Sequence, residues 1–141
     1  TCGGGKNYRL GLFDQILIKD NHLAALRDEK PNAIAAAVSR ARKKFPKLKI
    51  EVEADNLAQV AQAADAGADF ILLDNMDLKR LRLAVKIVKS RAKTEASGGV
   101  NLQTVRAIAQ TGVDFISVGA LTHSARAVDI GLDFENERSR E

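Results

Sequence analysis

The sequence has few residues that cross-link or stack: one cysteine, no tryptophan and 4% aromatic residues in a chain of 141. A single cysteine excludes an internal disulfide framework and a zinc site built from several cysteines. No apolar run approaches the ~20 residues of a membrane span, and the first residues lack a signal-peptide pattern. We therefore expect a soluble protein of the cytoplasm with no membrane partner. Because the chain begins at Thr1 rather than methionine, we also expect it to be part of a longer protein.

The charge is modest, with 22 basic against 18 acidic residues and a net charge of +4. This balance suits an ordinary soluble surface, an anionic small substrate or a nucleic acid. The aromatic residues do not alternate with the basic ones as stacking platforms for bases do, so we predict no nucleic-acid partner. His22 and His123 are far apart and lack a zinc-binding spacing, which disfavours a zinc enzyme.

Strand-like and helix-like segments alternate along the chain, which is typical of an α/β fold with parallel strands. Apolar and β-branched runs predict strands over residues 14–19, 48–54, 70–74, 93–97, 115–119 and 129–134. Apolar stripes of helical period predict a helix over 31–45 and three more, which Asn56, Asp77 and Asn101 cap. The last of these helices is expected to turn Leu102, Val105, Ile108 and Ala109 inward.

The helix and strand after Asn56 resemble those after Asn101, because the same residue types recur 45 positions later. A closed barrel of eight βα units needs ~250 residues, which is more than this chain has. The alternatives are a partial or open parallel barrel, a small doubly wound sheet, or a piece of a larger protein. Consecutive βα units with short loops favour the partial or open barrel, similar to a TIM barrel.

Chemistry-bearing residues follow several of the predicted strands, at the end where parallel α/β folds bind ligands. Glu53 and Asp74 close neighbouring strands, and such an acidic pair suits sugar hydroxyls or a Mg²⁺ ion that carries phosphate. An alternative is that Glu53 and Glu51, which share a strand face, both point to solvent on an edge strand. Lys19 ends the first apolar run, either at the rim of this site or as an ordinary surface lysine. His22 is either a structural residue or a base.

Two small-residue turns follow the late strands, Ser97-Gly98-Gly99 and Ser117-Val118-Gly119-Ala120. Glycine lets backbone N–H groups approach an anion closely, and a following helix adds positive potential. Paired turns of this kind at late strands of a barrel resemble a phosphate site. The residues alone therefore predict a phosphate-handling site with cations at one end and carboxylates beside them.

Longer motifs in sequence order resemble the central part of quinolinate phosphoribosyltransferase, also called carboxylating nicotinate-nucleotide pyrophosphorylase. They cover nearly the whole chain and lie at residues 3–12 (GGGKNYRLGL), 17–22 (LIKDNH), 51–53, 72–76 (LLDNM), 95–99 (EASGG), 117–124 (SVGALTHS) and 132–133. The resemblance implies a two-domain enzyme, a homodimer or higher homo-oligomer, of which residues 1–141 are part of the open α/β barrel catalytic domain. The family's N-terminal domain would precede Thr1.

The resemblance also implies an activity, a cofactor and a role for each matching residue. The enzyme joins quinolinate to phosphoribosyl pyrophosphate with Mg²⁺, releasing pyrophosphate and CO₂ to give nicotinate mononucleotide in NAD synthesis. Lys19, Glu53 and Asp74 are the implied catalytic residues, Glu53 and Asp74 being candidates to meet the substrate-borne Mg²⁺. The implied substrate-binding set is Arg9 and Lys19 for the carboxylates of quinolinate, Glu53 and Asp74 for the ribose and metal–pyrophosphate, Ser97, Gly98, Gly99 and Gly119 for the 5′-phosphate, and Tyr8 and His123.

Two departures from the family pattern bear on activity. Tyr8 stands where the family usually has histidine, and its hydroxyl can donate a hydrogen bond but cannot carry positive charge. The family's Arg-Lys-Thr motif, and the domain that lends an arginine to a neighbouring subunit, would precede Thr1, so we expect the chain alone to be poorly active. The alternatives are a relative of the same fold found with molybdate transport genes, against which the intact run from Lys19 to His22 argues, and a non-catalytic barrel piece that self-associates through exposed strand edges.

Overall fold

The computed structural model describes residues 3–132, and βα units make up most of this range. The strands are β1 (Gln15–Ile18), β2 (Lys49–Ala54), β3 (Phe70–Asp74), β4 (Lys93–Ser97) and β5 (Phe115–Ile116). The helices are α1 (Asp20–Ala24), α2 (Ala33–Lys44), α3 (Leu57–Asp65), α4 (Leu78–Val88), α5 (Val105–Ala109) and α6 (Ala120–His123).

The five strands form one parallel sheet in the order β1-β2-β3-β4-β5, so each strand pairs with the next along the chain. Consecutive order is what a barrel built of βα units produces, whereas a doubly wound sheet reverses its order at a switch point. Within residues 3–132 the sheet stays open between β1 and β5. The prediction of an open parallel α/β barrel is therefore confirmed.

One face of the sheet packs against the helices and forms the apolar core. Ile50, Val52 and Ala54 of β2 are fully buried, as are Ile71 and Leu73 of β3. The helices contribute a matching stripe: Ile34, Val38, Val60, Leu81, Ala84 and Val88. Because successive strand residues point to opposite faces, the intervening residues lie on the other face, which we call the inner face. It carries most of the acidic residues discussed below.

The internal repeat is visible at the amino ends of the strands. Asp69, before β3, accepts hydrogen bonds from the backbone N–H of Ile50 at 3.0 Å and from Lys49 Nζ at 2.8 Å. Asp114, which stands 45 positions later before β5, accepts them from Thr94 N at 2.9 Å and Lys93 Nζ at 2.6 Å. The repeat therefore fixes β3 against β2 and β5 against β4 with equivalent aspartates.

Side-chain hydrogen bonds of Asn56 and Asn101 follow the same repeat. The side chain of Asn56 accepts a hydrogen bond from Gln59 N, and that of Asn101 accepts one from Thr104 N, both at 3.0 Å. Asp77 accepts one from Arg80 N at 2.7 Å. The predicted caps Asn56 and Asp77 are confirmed, because each side chain satisfies a backbone donor of the first turn. The prediction for Asn101 is wrong: its side chain holds the turn that precedes α5, whose N-cap is Thr104.

Some predicted boundaries are wrong. Residues 129–132 are exposed and pair with none of the five strands, so they do not form the predicted strand. Residues 133–134 fall outside the described range. The fifth strand ends at Ile116 rather than at residue 119, because the chain turns into α6 there. After Asn101, Leu102 is 90% exposed rather than turned inward, because the α-helix begins only at Val105. Ala109, the last residue of α5, is also exposed.

The short helix α1 was not predicted from the sequence, because five residues are too few to show a helical period. It begins directly after β1. Within residues 3–132, no helix is long and apolar enough to cross a membrane.

Candidate active site

A cavity of about 740 Å³ lies at the carboxyl ends of the strands. All of the predicted site residues except Arg9 line it, namely Tyr8, Lys19, Glu53, Asp74, Ser97, Gly98, Gly99, Gly119 and His123. A smaller cavity of about 450 Å³ lies at the amino ends of β3, β4 and β5 and contains none of them. The structure thus brings the predicted residues together at the ligand-binding edge of the sheet.

Arg9 lies outside the lining of the cavity but next to it. Its guanidinium carbon is 5.1 Å from the centre of the Tyr8 ring, a distance at which a cation is attracted to the face of an aromatic ring. Tyr8 itself lines the cavity. The position of Arg9 therefore depends on that of Tyr8.

Three carboxylates cluster on the acidic side of the cavity. Glu53 and Asp55 follow each other on one face of β2 and its extension, and Asp74 ends the neighbouring strand β3. One oxygen atom from each lies within 4.8 Å of the other two. Asp55 was not predicted as a site residue, although the period of two places it on the same face as Glu53.

Lys19 is the cation of this cluster. Its Nζ lies 3.6 Å from Glu53 Oε2, and its side chain is about half exposed at the rim of the cavity. Burial raises the pKa of Glu53, Lys19 opposes that rise, and the negative charge of Asp74 adds to it. The backbone N–H of Lys19 donates to His22 Nδ1 at 2.9 Å, which gives His22 a structural role at the start of α1.

The first glycine turn is interlocked with the end of β3. Gly98 has a φ of +92°, and a Cβ atom there would lie 2.1 Å from Asn75 Oδ1. Asn75 in turn donates from Nδ2 to Asp74 Oδ2 at 2.9 Å and from its backbone N–H to Ser97 O at 2.9 Å. Glycine is required at position 98 because of both its backbone conformation and this contact. Gly99, at φ +61°, has open space where a side chain would project.

The second glycine turn leads into α6. Gly119 precedes the helix, and its carbonyl accepts a hydrogen bond from the backbone N–H of His123 at 3.1 Å. The imidazole of His123 lies above the turn, because a Cβ atom at Gly119 would lie 3.3 Å from Nε2. Since β4 and β5 are paired strands, the two glycine turns are neighbours at one end of the cavity, as the sequence predicted.

Two buried acids of the inner face were not predicted as site residues from the sequence, and one of them, Glu95, lines the cavity. Glu51 is fully buried, and Glu95 is 6% exposed and accepts a hydrogen bond from Ser117 Oγ. Burial raises the pKa of Glu51 to about 7, the hydrogen bond from Tyr8 lowers it, and the charge of Glu95 raises it. The alternative that Glu51 and Glu53 face solvent on an edge strand is wrong, because β2 lies between β1 and β3.

The tyrosine at position 8 is bound to one of these acids. Its hydroxyl donates to Glu51 Oε2, and burial together with this hydrogen bond raises the pKa of Tyr8. Gln15 Nε2 donates to the same oxygen at 2.6 Å. Because the hydroxyl proton of Tyr8 is engaged by Glu51, what the residue offers to the cavity is chiefly its ring.

Comparison with known proteins gives the same assignment over almost the whole chain. Residues 1–133 match the model of the family described as quinolinate phosphoribosyl transferase, C-terminal domain. The nicotinate-nucleotide pyrophosphorylase (carboxylating) of Mycobacterium leprae is 45% identical over 134 residues, which are 93% of this chain and 45% of the relative. A chloroplastic enzyme of the same name from Arabidopsis thaliana is 40% identical over 99% of this chain and 44% of the relative.

Solved structures agree. The nicotinate-nucleotide pyrophosphorylase of Ehrlichia chaffeensis superposes with a TM-score of 0.84 at 45% identity, covering 94% of this chain and 47% of that one. The chain spans less than half the length of these relatives. On the match of 133 residues and on these identities, the chain belongs to the quinolinate phosphoribosyl transferase family and matches its C-terminal domain.

Proposed function

We propose that this chain is the part of a quinolinate phosphoribosyltransferase that holds both substrates and supports the transfer. Quinolinate and phosphoribosyl pyrophosphate would give nicotinate mononucleotide, pyrophosphate and CO₂. The observation that carries the proposal is the cavity at the carboxyl edge, which is lined by Lys19, Glu53, Asp74 and two glycine turns, with Asp55 beside the two acids. Family membership supports the choice of substrates.

The acids suit the sugar of the donor. Glu53 and Asp74 can accept hydrogen bonds from two ribose hydroxyls, because they end adjacent strands and face the same cavity. As the bond from ribose C1 to pyrophosphate breaks, positive charge builds on the sugar. Fixed carboxylates beside that charge stabilise it, since they need no reorganisation at the moment of reaction.

The same acids fit a divalent cation. Glu53, Asp55 and Asp74 offer hard oxygen ligands within 4.8 Å of one another, which is the donor chemistry that Mg²⁺ prefers. When bound, Mg²⁺ would neutralise charge on the pyrophosphate leaving group. These residues would hold it together with oxygens of the donor.

The glycine turns suit the 5′-phosphate at the other end of the donor. Gly98 and Gly99 both have positive φ angles, and without a Cβ atom their backbone N–H groups can be approached closely by an anion. Ser97 adds a hydroxyl, and Gly119 opens the neighbouring turn. Backbone donors of this kind bind phosphate without a charged side chain.

The cations Lys19 and Arg9 suit the acceptor. Lys19 would bind one carboxylate of quinolinate, and Arg9, held against the Tyr8 ring, would bind the other. This clamp would direct the pyridine nitrogen to ribose C1, where the new bond forms as the bond to pyrophosphate breaks. The ring carboxylate then leaves as CO₂, and the ring carbon takes a proton.

The remaining expectations from the sequence belong to the same proposal. A homodimer or higher homo-oligomer of the longer protein would complete the site, and its location would be the cytoplasm. Quinolinate binding distinguishes the proposed enzyme from the relative found with molybdate transport genes, which would act on a different substrate. A non-catalytic barrel piece would bind neither substrate.

Calorimetric titration with phosphoribosyl pyrophosphate and Mg²⁺ tests the proposal without requiring turnover. We expect the wild-type chain to give a saturable heat, and Asp74→Asn to weaken the affinity about a hundredfold, because a charged partner of the donor is lost. Asp28→Asn is the matched control, since the Asp28 side chain is 93% exposed and lies outside the cavity. Equal heats for wild type and Asp74→Asn would remove Asp74 from the site, and no heat for the wild type would favour the non-catalytic piece.

A further inference from the structure

Residues 3–13, which we call the arm, reach the cavity without regular secondary structure. Its apolar side chains do not anchor it, because Leu10, Leu12 and Phe13 are 75–87% exposed. The backbone N–H of Leu10 donates to the neighbouring Asp14 at 2.7 Å, which is a local contact. Within residues 3–132, the one hydrogen bond that joins the arm to the sheet runs from the Tyr8 hydroxyl to Glu51 Oε2.

Glu51 is an unusual partner for such a contact, because it is fully buried on β2. Its Oε2 accepts hydrogen bonds from Tyr8 and from Gln15 Nε2. Its Oε1 is buried and has no hydrogen-bond partner in the described part of the chain. A buried carboxyl group with an unsatisfied oxygen costs stability, so an apolar side chain here would stabilise the sheet better. What the carboxyl group supplies in return is an acceptor for the arm.

The anchored arm places two side chains at the mouth of the cavity. Tyr8 lines it, and Arg9 lies over the Tyr8 ring. Glu51 does not line the cavity, so any effect of this residue on a ligand must pass through the residues that it holds.

We propose that Glu51 is a positioning residue that anchors the arm through the Tyr8 hydroxyl and thereby holds Arg9 where the anionic acceptor binds. The anchoring follows from the contacts of the chain alone. The statement that Arg9 binds the anionic acceptor rests on the proposed function. The hydrogen bond, and not the charge of Glu51, is the feature that holds the arm.

The experiment follows the arm directly in the full 141-residue chain. Trypsin cleaves after Lys6 and Arg9 within the arm, and cleavage after Arg126, in an exposed segment, serves as the internal reference. Tyr8→Phe removes the donor, and Glu51→Leu removes the acceptor but keeps the buried volume. We expect both variants to raise cleavage in the arm about tenfold, the effect of losing one partly buried hydrogen bond. Glu51→Gln keeps an acceptor oxygen and should stay near the wild-type rate, and Leu10→Ala is the control within the arm.

A spectroscopic measurement supplies the second readout. Tyr8 is the one tyrosine of a chain without tryptophan, so tyrosine fluorescence reports on this residue alone. Donation to a carboxyl group quenches phenol emission, so we expect Glu51→Leu to be brighter than the wild type. Unchanged cleavage in both Tyr8→Phe and Glu51→Leu would overturn the proposal. So would equal acceleration in Leu10→Ala, or equal emission from Glu51→Leu and wild type.

Ligand binding then separates this inference from the proposed function. Glu51→Leu should weaken quinolinate binding about tenfold and leave the binding of phosphoribosyl pyrophosphate with Mg²⁺ unchanged. If Tyr8→Phe and Glu51→Leu release the arm but the wild type does not bind quinolinate, the anchoring is supported and the proposed function fails. If the arm is not released while Asp74→Asn still weakens donor binding, the anchoring fails and the proposed function stands.

Discussion

The two edges of the sheet use carboxylates in opposite ways. At the amino edge, Asp69 receives hydrogen bonds from Lys49, from Arg42 at 2.8 Å and from a backbone N–H group. At the carboxyl edge, Glu53 has Lys19 at 3.6 Å and shares its surroundings with Asp55 and Asp74. Hydrogen-bond donors therefore surround Asp69 at the amino edge, whereas other carboxylates lie around Glu53 at the carboxyl edge.

The pKa directions follow this contrast. Although burial raises it, the hydrogen bonds from Lys49, Ile50 and Arg42 hold the pKa of Asp69 below its ordinary value. Burial and the nearby acids raise the pKa of Glu53, against the pull of Lys19. A carboxylate saturated with donors stabilises a fold, whereas clustered carboxylates with few donors are typical of a binding site. The difference assigns structure to the amino edge and ligand binding to the carboxyl edge.

The largest expected effect tests this assignment at the amino edge. Asp69→Asn should lower the free energy of unfolding by about 2 kcal/mol, because charge-assisted hydrogen bonds to three partners are weakened or lost. Asp74→Asn should change it by less than about 0.5 kcal/mol, since Asp74 has fewer partners. Urea denaturation of both variants measures the difference. Equal losses of stability would contradict the division between the edges.

The pH dependence sharpens the same comparison. Because folding lowers the pKa of Asp69, its stabilising effect is fully present above the unfolded-state pKa and disappears as the pH falls through the folded-state value. The stability difference between wild type and Asp69→Asn should therefore be constant near pH 7 and shrink steadily below about pH 4. Unfolding curves recorded from pH 7 to pH 2 provide the measurement, and a difference that grows on acidification would be inconsistent with the donors that surround Asp69.

Alanine substitutions at a matched pair of glycines, one at each edge, should each lower the free energy of unfolding by about 1–2 kcal/mol. Gly98 and Gly112 have φ angles of +92° and +90°, so alanine costs about 1–2 kcal/mol of backbone strain at either position. A Cβ atom at Gly98 also meets Asn75, whereas at Gly112 the nearest atom is 3.8 Å away. We expect both variants to lose stability and Gly98→Ala alone to lose donor binding. Loss of binding in Gly112→Ala would show that strain, not the site, is responsible.

The smallest expected effect on stability is at Lys19. Its ion pair with Glu53 is half exposed, and such pairs contribute at most about 0.5 kcal/mol. Lys19→Ala should therefore melt within 2 °C or so of the wild type, yet bind quinolinate more weakly. Thermal melting and calorimetry on the same sample check both parts. A large loss of stability would make Lys19 a structural residue.

The sequence predicted the sheet well because its signals are local. The alternation in β2 and the apolar run in β3 extend over five or six residues, and Asn56 and Asp77 cap α3 and α4 where expected. Residues 129–132 alternate in the same way but are not a strand, because a strand also needs a neighbour to pair with, and a local pattern cannot supply one.

The residues at the strand ends of the site were predicted, but the buried acids in the middle of the strands were not. Strand ends are readable from the sequence, so Glu53, Asp74 and the two glycine turns were found. Glu51 and Glu95 were missed because an acid in mid-strand is ordinarily solvent-exposed, and their burial depends on the arm and on neighbouring strands. The bond from Tyr8 to Glu51 joins residues 43 positions apart, which no local spacing shows.

The most direct test of the division between the edges is a ¹H–¹⁵N correlation spectrum recorded while phosphoribosyl pyrophosphate and Mg²⁺ are added. Glycine amides report on both edges, since Gly98, Gly99 and Gly119 lie at the carboxyl edge and Gly67 and Gly112 at the amino edge. We predict large shifts for the first three amides and none for the other two. Shifts at Gly67 and Gly112 with Gly98, Gly99 and Gly119 unmoved would contradict the account.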